Sequence, residues 1–577
     1  MKAMCIYEWK KVYAAAICGA ALLSGVTAFG AASTLTVNEK GEATISSGDG
    51  YSLTAADSET LYTIFTLYSG LTIDGESCGG LTNSQSVTIG PWLGSPPAIV
   101  TITNGARWVT GRNKQFKFTR EGGTIVVSEP SAHSWTWKAG TQVSTALGNI
   151  YTNMIGTVGY GSKFVVQDTA VADAGTMDIL RLLPNGWASF QAITNGCASV
   201  AARVLFEGGE LVSTSEYEPK FQTAAGTRIV LQSVNSNPIV LRTTNTDYEL
   251  FRGEGTLETA GDGDFILLQH YSNTKTVTLG SDNGSIVWGH SGDFLLGGRM
   301  CLKLTSDDVL PHGEGKGRVV FNVNHKKYSN VGTSADKPVT LDLNGRSVTV
   351  NALVQDTGEG AYYSKWHVVT NSSETVATLG LDVYSEERLH EIMTTNLAAN
   401  AASSIRLKKI GAGKLLVNND RATNVLERVA GTEVADGVLY FYASYPLTRP
   451  LSVTGSGSIQ VKSDTQYTPV TLDLSAIPDA DLSIGGLTVD TAYYYGKIPT
   501  ITKFRPAANG KLYLTNVTGE IASNYTVPIN LTTVVDAENF ASWKVCVNGV
   551  ESRGLVPVFA NGVLKVRQKY GTVIFVR

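Results

Sequence analysis

From residue 33 onward, apolar and polar positions alternate in short runs closed by Gly, Asn, Asp or Ser. Examples are STLTV (33–37), ATIS (43–46), SVTIG (86–90), AIVTIT (98–103), GGTIVVS (122–128), KFVVQD (163–168), RIVLQS (228–233) and TVTLG (276–280). Period-two alternation in β-branched residues, stopped by turn formers, predicts short strands almost throughout. A second pattern places paired glycines just before a strand, in GGTIVV (122), GGELVS (208), GEGTLET (253), GAGKLLV (411) and GSGSIQV (455), with DGVLYF (436) and NGVLKV (561) as reduced forms. Glycine adopts positive φ without a Cβ penalty, so each motif supplies a tight corner followed by a strand. Repeated corners and strands predict the coils of a parallel β-helix, with Ile125, Leu211, Leu257 and Leu415 pointing inward. A string of β-sandwich modules fits the same alternation.

One segment departs from this pattern. Behind Ser385, Leu389, Ile392, Met393, Leu397 and Ala398 recur at helical spacing and predict a short helix over 385–404. The phrase PVTLDL occurs twice, at 338–343 and 469–474, which points to recurring local units. The expected architecture is all-β: a right-handed parallel β-helix or solenoid with a C-terminal β-rich module and one short helix. Its expected divisions are a signal peptide (1–32), a β-helix (33–384), a helical insertion (385–404), a further β-repeat region (405–465) and a C-terminal sandwich-like or capping module (466–577).

The signal assignment rests on Lys2, Lys10 and Lys11 before an apolar run from Val12 to Leu23, followed by the small residues Ala28, Gly30, Ala31 and Ala32. It predicts export to the periplasm, the cell surface or the medium, with no membrane span after cleavage. A net charge of -4 over 577 residues offers no electrostatic footprint for nucleic acid. Beyond the signal, Cys78, Cys197, Cys301 and Cys546 lie about a hundred or more residues apart, which suggests isolated thiols rather than a disulfide framework or zinc site.

In the stretch 411–442, Gly411, Gly413, Leu415 and Val417 are followed by Gly431, Thr432 and Val434, then by Gly437 and Leu439. This pattern resembles the autotransporter-associated β-strand repeat of bacterial surface and secreted passenger regions. The resemblance implies a right-handed parallel β-helix that displays surface or spans distance, and no shared catalytic residues. NDRATNV replaces the repeat's usual middle corner, and no series of long lipid-facing strands of the kind that builds a membrane barrel is evident.

Candidate chemistry is sparse. Asp262 and Asp264 in GDGD, His270, Asp282, and Trp288, His290 and Asp293 in WGHSGD could meet on adjacent coils as a calcium site or sugar subsite. The competing reading makes these aspartates turn caps. Ser77 in GESCG matches a nucleophile elbow, but a strand rather than a helix follows it. His390 and Glu391 lack the second histidine of a metalloprotease, and Glu386 pairs with His390 at helical spacing. No catalytic, cofactor-binding or metal-binding residue is therefore assigned. Trp135 and Trp137, then Tyr362, Tyr363 and Trp366, then Tyr493, Tyr494 and Tyr495 form aromatic groups that would either cap open coils or bind a glycan or cell-surface partner. The expected function is a non-catalytic, secreted or surface-displayed solenoid serving adhesion or an envelope matrix. The alternatives are a polysaccharide lyase or glycoside hydrolase on the same scaffold and a carbohydrate-binding protein; oligomeric state is left open.

Overall fold

The protein is described by a computed structural model covering residues 33–569, apart from 47–49, 61, 63–64, 79, 84–86, 90–97, 104–106, 111–115, 119–122, 129–134, 137–155, 158–162, 168–174, 183–186, 191, 197, 199, 214–219, 244–246, 270–273, 282, 323–337, 357–366, 390–403, 418–424, 463–468 and 493–496. It divides into two compact units at 191/192.

In the first unit, three strand columns follow one another along the chain. Ala43–Ile45, Phe65–Leu67, Val87–Ile89 and Phe116–Phe118 pair in parallel in one column. Leu71–Asp74, Ala98–Thr103, Gly123–Ser128 and Lys163–Gln167 form the second, and Gly80–Asn83, Arg107–Thr110 and Trp135–Thr136 the third. Each coil therefore lays one strand on each of several faces, and the next coil repeats the order. The leading strand Leu35–Val37 is different: it pairs antiparallel with Ala43–Ile45 and covers that strand's open edge.

The second unit continues the same principle. Ala201–Phe206 pairs in parallel with Arg228–Ser233, which pairs with Thr256–Ala260 and then Ser285–Trp288. A neighbouring column runs through Ile239–Thr243, Phe265–Gln269, Phe294–Gly297, Val319–Asn322 and Leu353–Asp356. Leu211, Leu257 and Leu415 are buried as expected. All five residues of Phe265–Gln269 are buried, so period-two alternation fails where both faces of a parallel strand are covered. Parallel pairing persists through Pro506–Thr515 and Lys544–Val547, where the antiparallel strand Val550–Ser552 ends the column. Tyr525–Thr526, Leu555–Ala560 and Val563–Gln568 form a separate antiparallel sheet, giving the β-rich C-terminal region.

The helix expected behind Ser385 is corrected at its start. Glu386–Leu389 is a strand paired in parallel with Lys414–Val417. Its backbone bonds to the next coil outweigh the local helical spacing there; residues 390–403 lie outside the described residues. Short helical turns occur at Ala55–Ser58, Val425–Arg428, Asp479–Asp481 and Ala537–Ser542.

The 411–442 stretch is stacking structure. Lys414–Val417 pairs with Val438–Phe441, which pairs with Ser458–Val461, while Gly431–Val434 joins Ile405–Ile410 to Leu451–Val453. Gly437 has φ +66°, and a Cβ there would collide with the Gly411 and Gly413 carbonyls and Lys409 Nζ. Lys409 occupies an inward position and is fully buried; its ammonium donates to the carbonyls of Ile410 (3.0 Å) and Gly411. Desolvation lowers its pKa to about 8, opposed by the nearby Asp436 and Asp382 carboxylates. Gly437→Ala is expected to lower the urea midpoint, since a non-glycine residue held at positive φ costs roughly 1–3 kcal/mol before the collisions are counted; an unchanged midpoint would show that the corner relaxes freely.

Candidate functional site

The two copies of PVTLDL place their aspartates alike. Asp342 Oδ1 accepts the N–H groups of Asn344 (3.0 Å) and Ser372 (2.9 Å). Asp473 Oδ1 accepts the Ser475 N–H (3.1 Å) and the hydroxyls of Ser475 (2.7 Å) and Thr502 (2.6 Å). Those bonds, led by Thr502, hold the Asp473 carboxyl below the usual carboxylate range. Each aspartate ends a strand, caps its own corner and reaches the next coil.

The aspartates of GDGD and WGHSGD also reach the next coil, but from positions just before strands, Asp264 before Phe265–Gln269 and Asp293 before Phe294–Gly297. Asp264 Oδ1 accepts the Asp293 N–H at 2.9 Å, and Asp293 Oδ1 accepts the Arg318 N–H at 2.7 Å, spanning 29 and then 25 residues of sequence. Arg318 closes a fork on Asp293, with Nη2 to Oδ2 at 3.0 Å and Nε to Oδ1 at 3.4 Å, and this hydrogen bonding raises the arginine's pKa. Asp262 is exposed and accepts the Ser236 hydroxyl at 2.8 Å. Alongside, Gly263, Gly292 and Gly317 stack so closely that a Cβ on Gly292 would lie 2.5 Å from the Gly263 backbone.

Trp288 and His290 turn inward instead. Phe265 and Phe294 stack with centroids 5.1 Å apart and planes 6° apart, and Trp288 meets both edge-on at 5.2 Å. The Trp288 indole donates to the Val309 carbonyl at 2.9 Å. That burial corrects the sugar-platform reading of Trp288, because the apolar interior competes for its ring more strongly than solvent does. His290 has no exposed surface; its Nδ1 lies 2.7 Å from Thr259 Oγ1, and its Nε2 is a buried atom without a hydrogen-bond partner among the described residues.

The remaining candidates separate. Ser77 sits in the turn after Leu71–Asp74, its hydroxyl donating to the Asp74 carbonyl at 3.2 Å, so the elbow motif here is a β-turn. Cys78 and Cys546 are buried, Cys301 is half-buried, and among the described residues Cys301 and Cys546 belong to no disulfide. Trp135 begins a strand in register with Trp108. Trp137, Cys197, His270, Asp282, Tyr362, Tyr363, Trp366, His390, Glu391, Tyr493, Tyr494 and Tyr495 lie outside the described residues. The aromatic clusters at Phe265–Trp288–Phe294 and Phe504–Phe540–Trp543 are buried. Among the described residues no group of three His, Cys, Asp or Glu is placed to hold a metal ion, and no helix is long and apolar enough to cross a membrane.

What opens to solvent beside the Asp293 corner is a polar cleft of about 230 Å³. Its side chains come from four successive segments: Asp293, then Lys316 and Arg318, then Asn351, then Tyr384 and Glu387. Asn351 is committed to the loop, accepting from Gly313 N (2.8 Å) and donating to the Gly313 (2.9 Å) and Lys316 (2.6 Å) carbonyls. No sequence motif links these residues, so sequence reasoning found Asp293 and missed the rest.

The stacked coils define a parallel β-solenoid. No protein-family profile matches the chain, and comparison with curated proteins and solved structures also yields no match.

Two consequences are measurable. Burial, with Lys316 adding to it and Asp293 opposing it, lowers the His290 pKa from 6.5 to about 4. Its contribution is therefore complete above pH 6.5 and is lost as pH falls through about 4, the unfolded chain binding the proton first. Calorimetric melting from pH 7.5 downward is expected to show a fall of at most roughly 3 kcal/mol that His290→Phe removes. Asp293→Ala should destabilise by roughly 1–3 kcal/mol, because it leaves a strand-start N–H and a guanidinium without their acceptor; Asp262→Ala should stay within roughly 0.5 kcal/mol, and equal losses in chemical denaturation would refute the column's role.

Proposed function

We propose that this chain is a non-catalytic solenoid, exported and displayed at the cell surface or held in the periplasm, where it serves adhesion or an envelope matrix. The observation that carries this reading is the commitment of clustered aspartates to coil stacking. Asp264 and Asp293 accept backbone N–H groups of the following coil, and Asp293 is further neutralised by Arg318. A general acid or nucleophile must be able to reach a substrate and exchange a proton, which a carboxylate held this way does poorly. The glycine-corner repeats at 411–442 support a passenger-like display role of the autotransporter-associated type, and the lysine-flanked apolar segment near the start supports export.

Fractionation of cells producing the full chain is expected to place it outside the cytoplasm. Incubation of the purified protein with plant and bacterial polysaccharides is expected to release neither reducing ends nor unsaturated uronates. Product formation that disappears in Asp264→Ala would replace this reading with glycan cleavage.

A further inference from the structure

The polar cleft adds Lys316, Tyr384 and Glu387, side chains that cap no strand, to the stacking pair Asp293 and Arg318. Among its lining side chains Lys316 and Arg318 face Asp293 and Glu387, and Asp264, Glu314 and Asp382 lie close by, so the surroundings carry an acidic excess. A polyanion or phosphate would gain no net attraction there, whereas a neutral ligand whose groups both donate and accept would find partners of each kind. Donors remain available. Lys316 Nζ makes one long bond, to the His290 carbonyl at 3.4 Å, and an ammonium has three protons to give. Arg318 engages Asp293 through Nε and Nη2 and keeps 42% of its side chain exposed. An acceptor is also available, since Glu387 receives only the Ser385 hydroxyl at 3.4 Å and joins no ion pair among the described residues.

Tyr384 supplies the remaining feature. The residue is 49% exposed, and its hydroxyl donates to the buried Asp382 Oδ2 at 2.9 Å. The hydroxyl is tethered while the residue stays open, so the ring is pre-positioned to stack at small entropic cost. A ring face beside hydroxyl-matching donors and acceptors suits a sugar, which has an apolar C–H face and a polar rim. The volume of about 230 Å³ is smaller than the roughly 300–1,000 Å³ of sites for drug-sized ligands and suits a single ring.

We propose that the cleft between Asp293, Lys316, Arg318, Tyr384 and Glu387 binds one neutral pyranose unit of a polysaccharide. This deepens the adhesion reading and rests on it: the solenoid would hold a neutral glycan at a corner of its coils without cleaving it.

The test is affinity electrophoresis and titration calorimetry of the full chain against dextran, mannan, β-1,3-glucan and galactan, with polygalacturonate as the acidic comparison. At least one neutral polymer should bind in preference to polygalacturonate. Tyr384→Ala and Lys316→Ala, chosen because neither side chain caps a strand, should each weaken that binding by roughly tenfold with an unchanged melting temperature. If either variant melts lower, Tyr384→Phe and Lys316→Gln decide the same question: the first, which keeps the ring and loses only its tether, should bind more weakly than the wild type but more tightly than Tyr384→Ala, and the second should lose binding. Absence of binding to every neutral polymer, preference for polygalacturonate, or binding indifferent to both positions overturns the proposal. A cleft that binds nothing while the chain still adheres to cells removes this site alone; release of reducing ends from a bound polymer removes the non-catalytic reading and leaves the site.

Discussion

Each parallel strand in these coils depends on the coils beside it for its backbone hydrogen bonds. Phe265 N–H donates to the Asp293 carbonyl, Phe294 N–H to Arg318 and Val319 N–H to Ala352, so the same bond recurs from coil to coil. A coil removed from its neighbours would expose two unpaired edges and one apolar face, which is why such units are stable only when stacked. The terminal edges receive different treatment. Leu35–Val37 and Val550–Ser552 each fold back antiparallel onto the adjoining strand, replacing the missing neighbour with a hairpin.

The same dependence decides where polar chemistry goes. At a corner the backbone leaves N–H groups that the strands do not pair, and a buried unpaired donor costs about as much as a lost hydrogen bond. Asp264, Asp293, Asp342 and Asp473 fill that need, as Lys409 does for carbonyls at the Gly411 corner. Two of the acidic residues that look like a catalytic cluster in the sequence, Asp264 and Asp293, are thus consumed at corners. Trp288 and His290 complete the divergence, because the Trp288 ring packs onto Phe265 and Phe294 and the His290 ring onto Phe265 and Trp288. The polar cleft lies at the rim of one such corner, where Asp293, Arg318 and Asn351 serve the stacking while Lys316, Tyr384 and Glu387 reach solvent beside them.

Much of the fold was legible in the sequence. Alternation over four to six residues marks strands because the side-chain period of a strand is a local property. Glycine pairs mark corners because positive φ is a single-residue constraint, as at Gly411 and Gly437. The inward positions of Leu211, Leu257 and Leu415 followed from the two together. The strand at Glu386–Leu389 was not legible, since its helical spacing is local and the Lys414–Val417 partner that overrides it is not.

The candidate site was legible only at Asp293. Lys316, Arg318, Tyr384 and Glu387 meet it from other coils, and the intervals between coils vary: 29 residues from Asp264 to Asp293, 25 from there to Arg318, and 38 between Gly313 and Asn351. By itself the sequence determined strand, corner and inward face, each set by backbone sterics and hydrophobic burial within a few residues. Register between coils of unequal length, and with it the identity of the side chains that share a corner, was decided only by the tertiary structure, because hydrogen bonds between distant strands fix the stacking that no local spacing encodes.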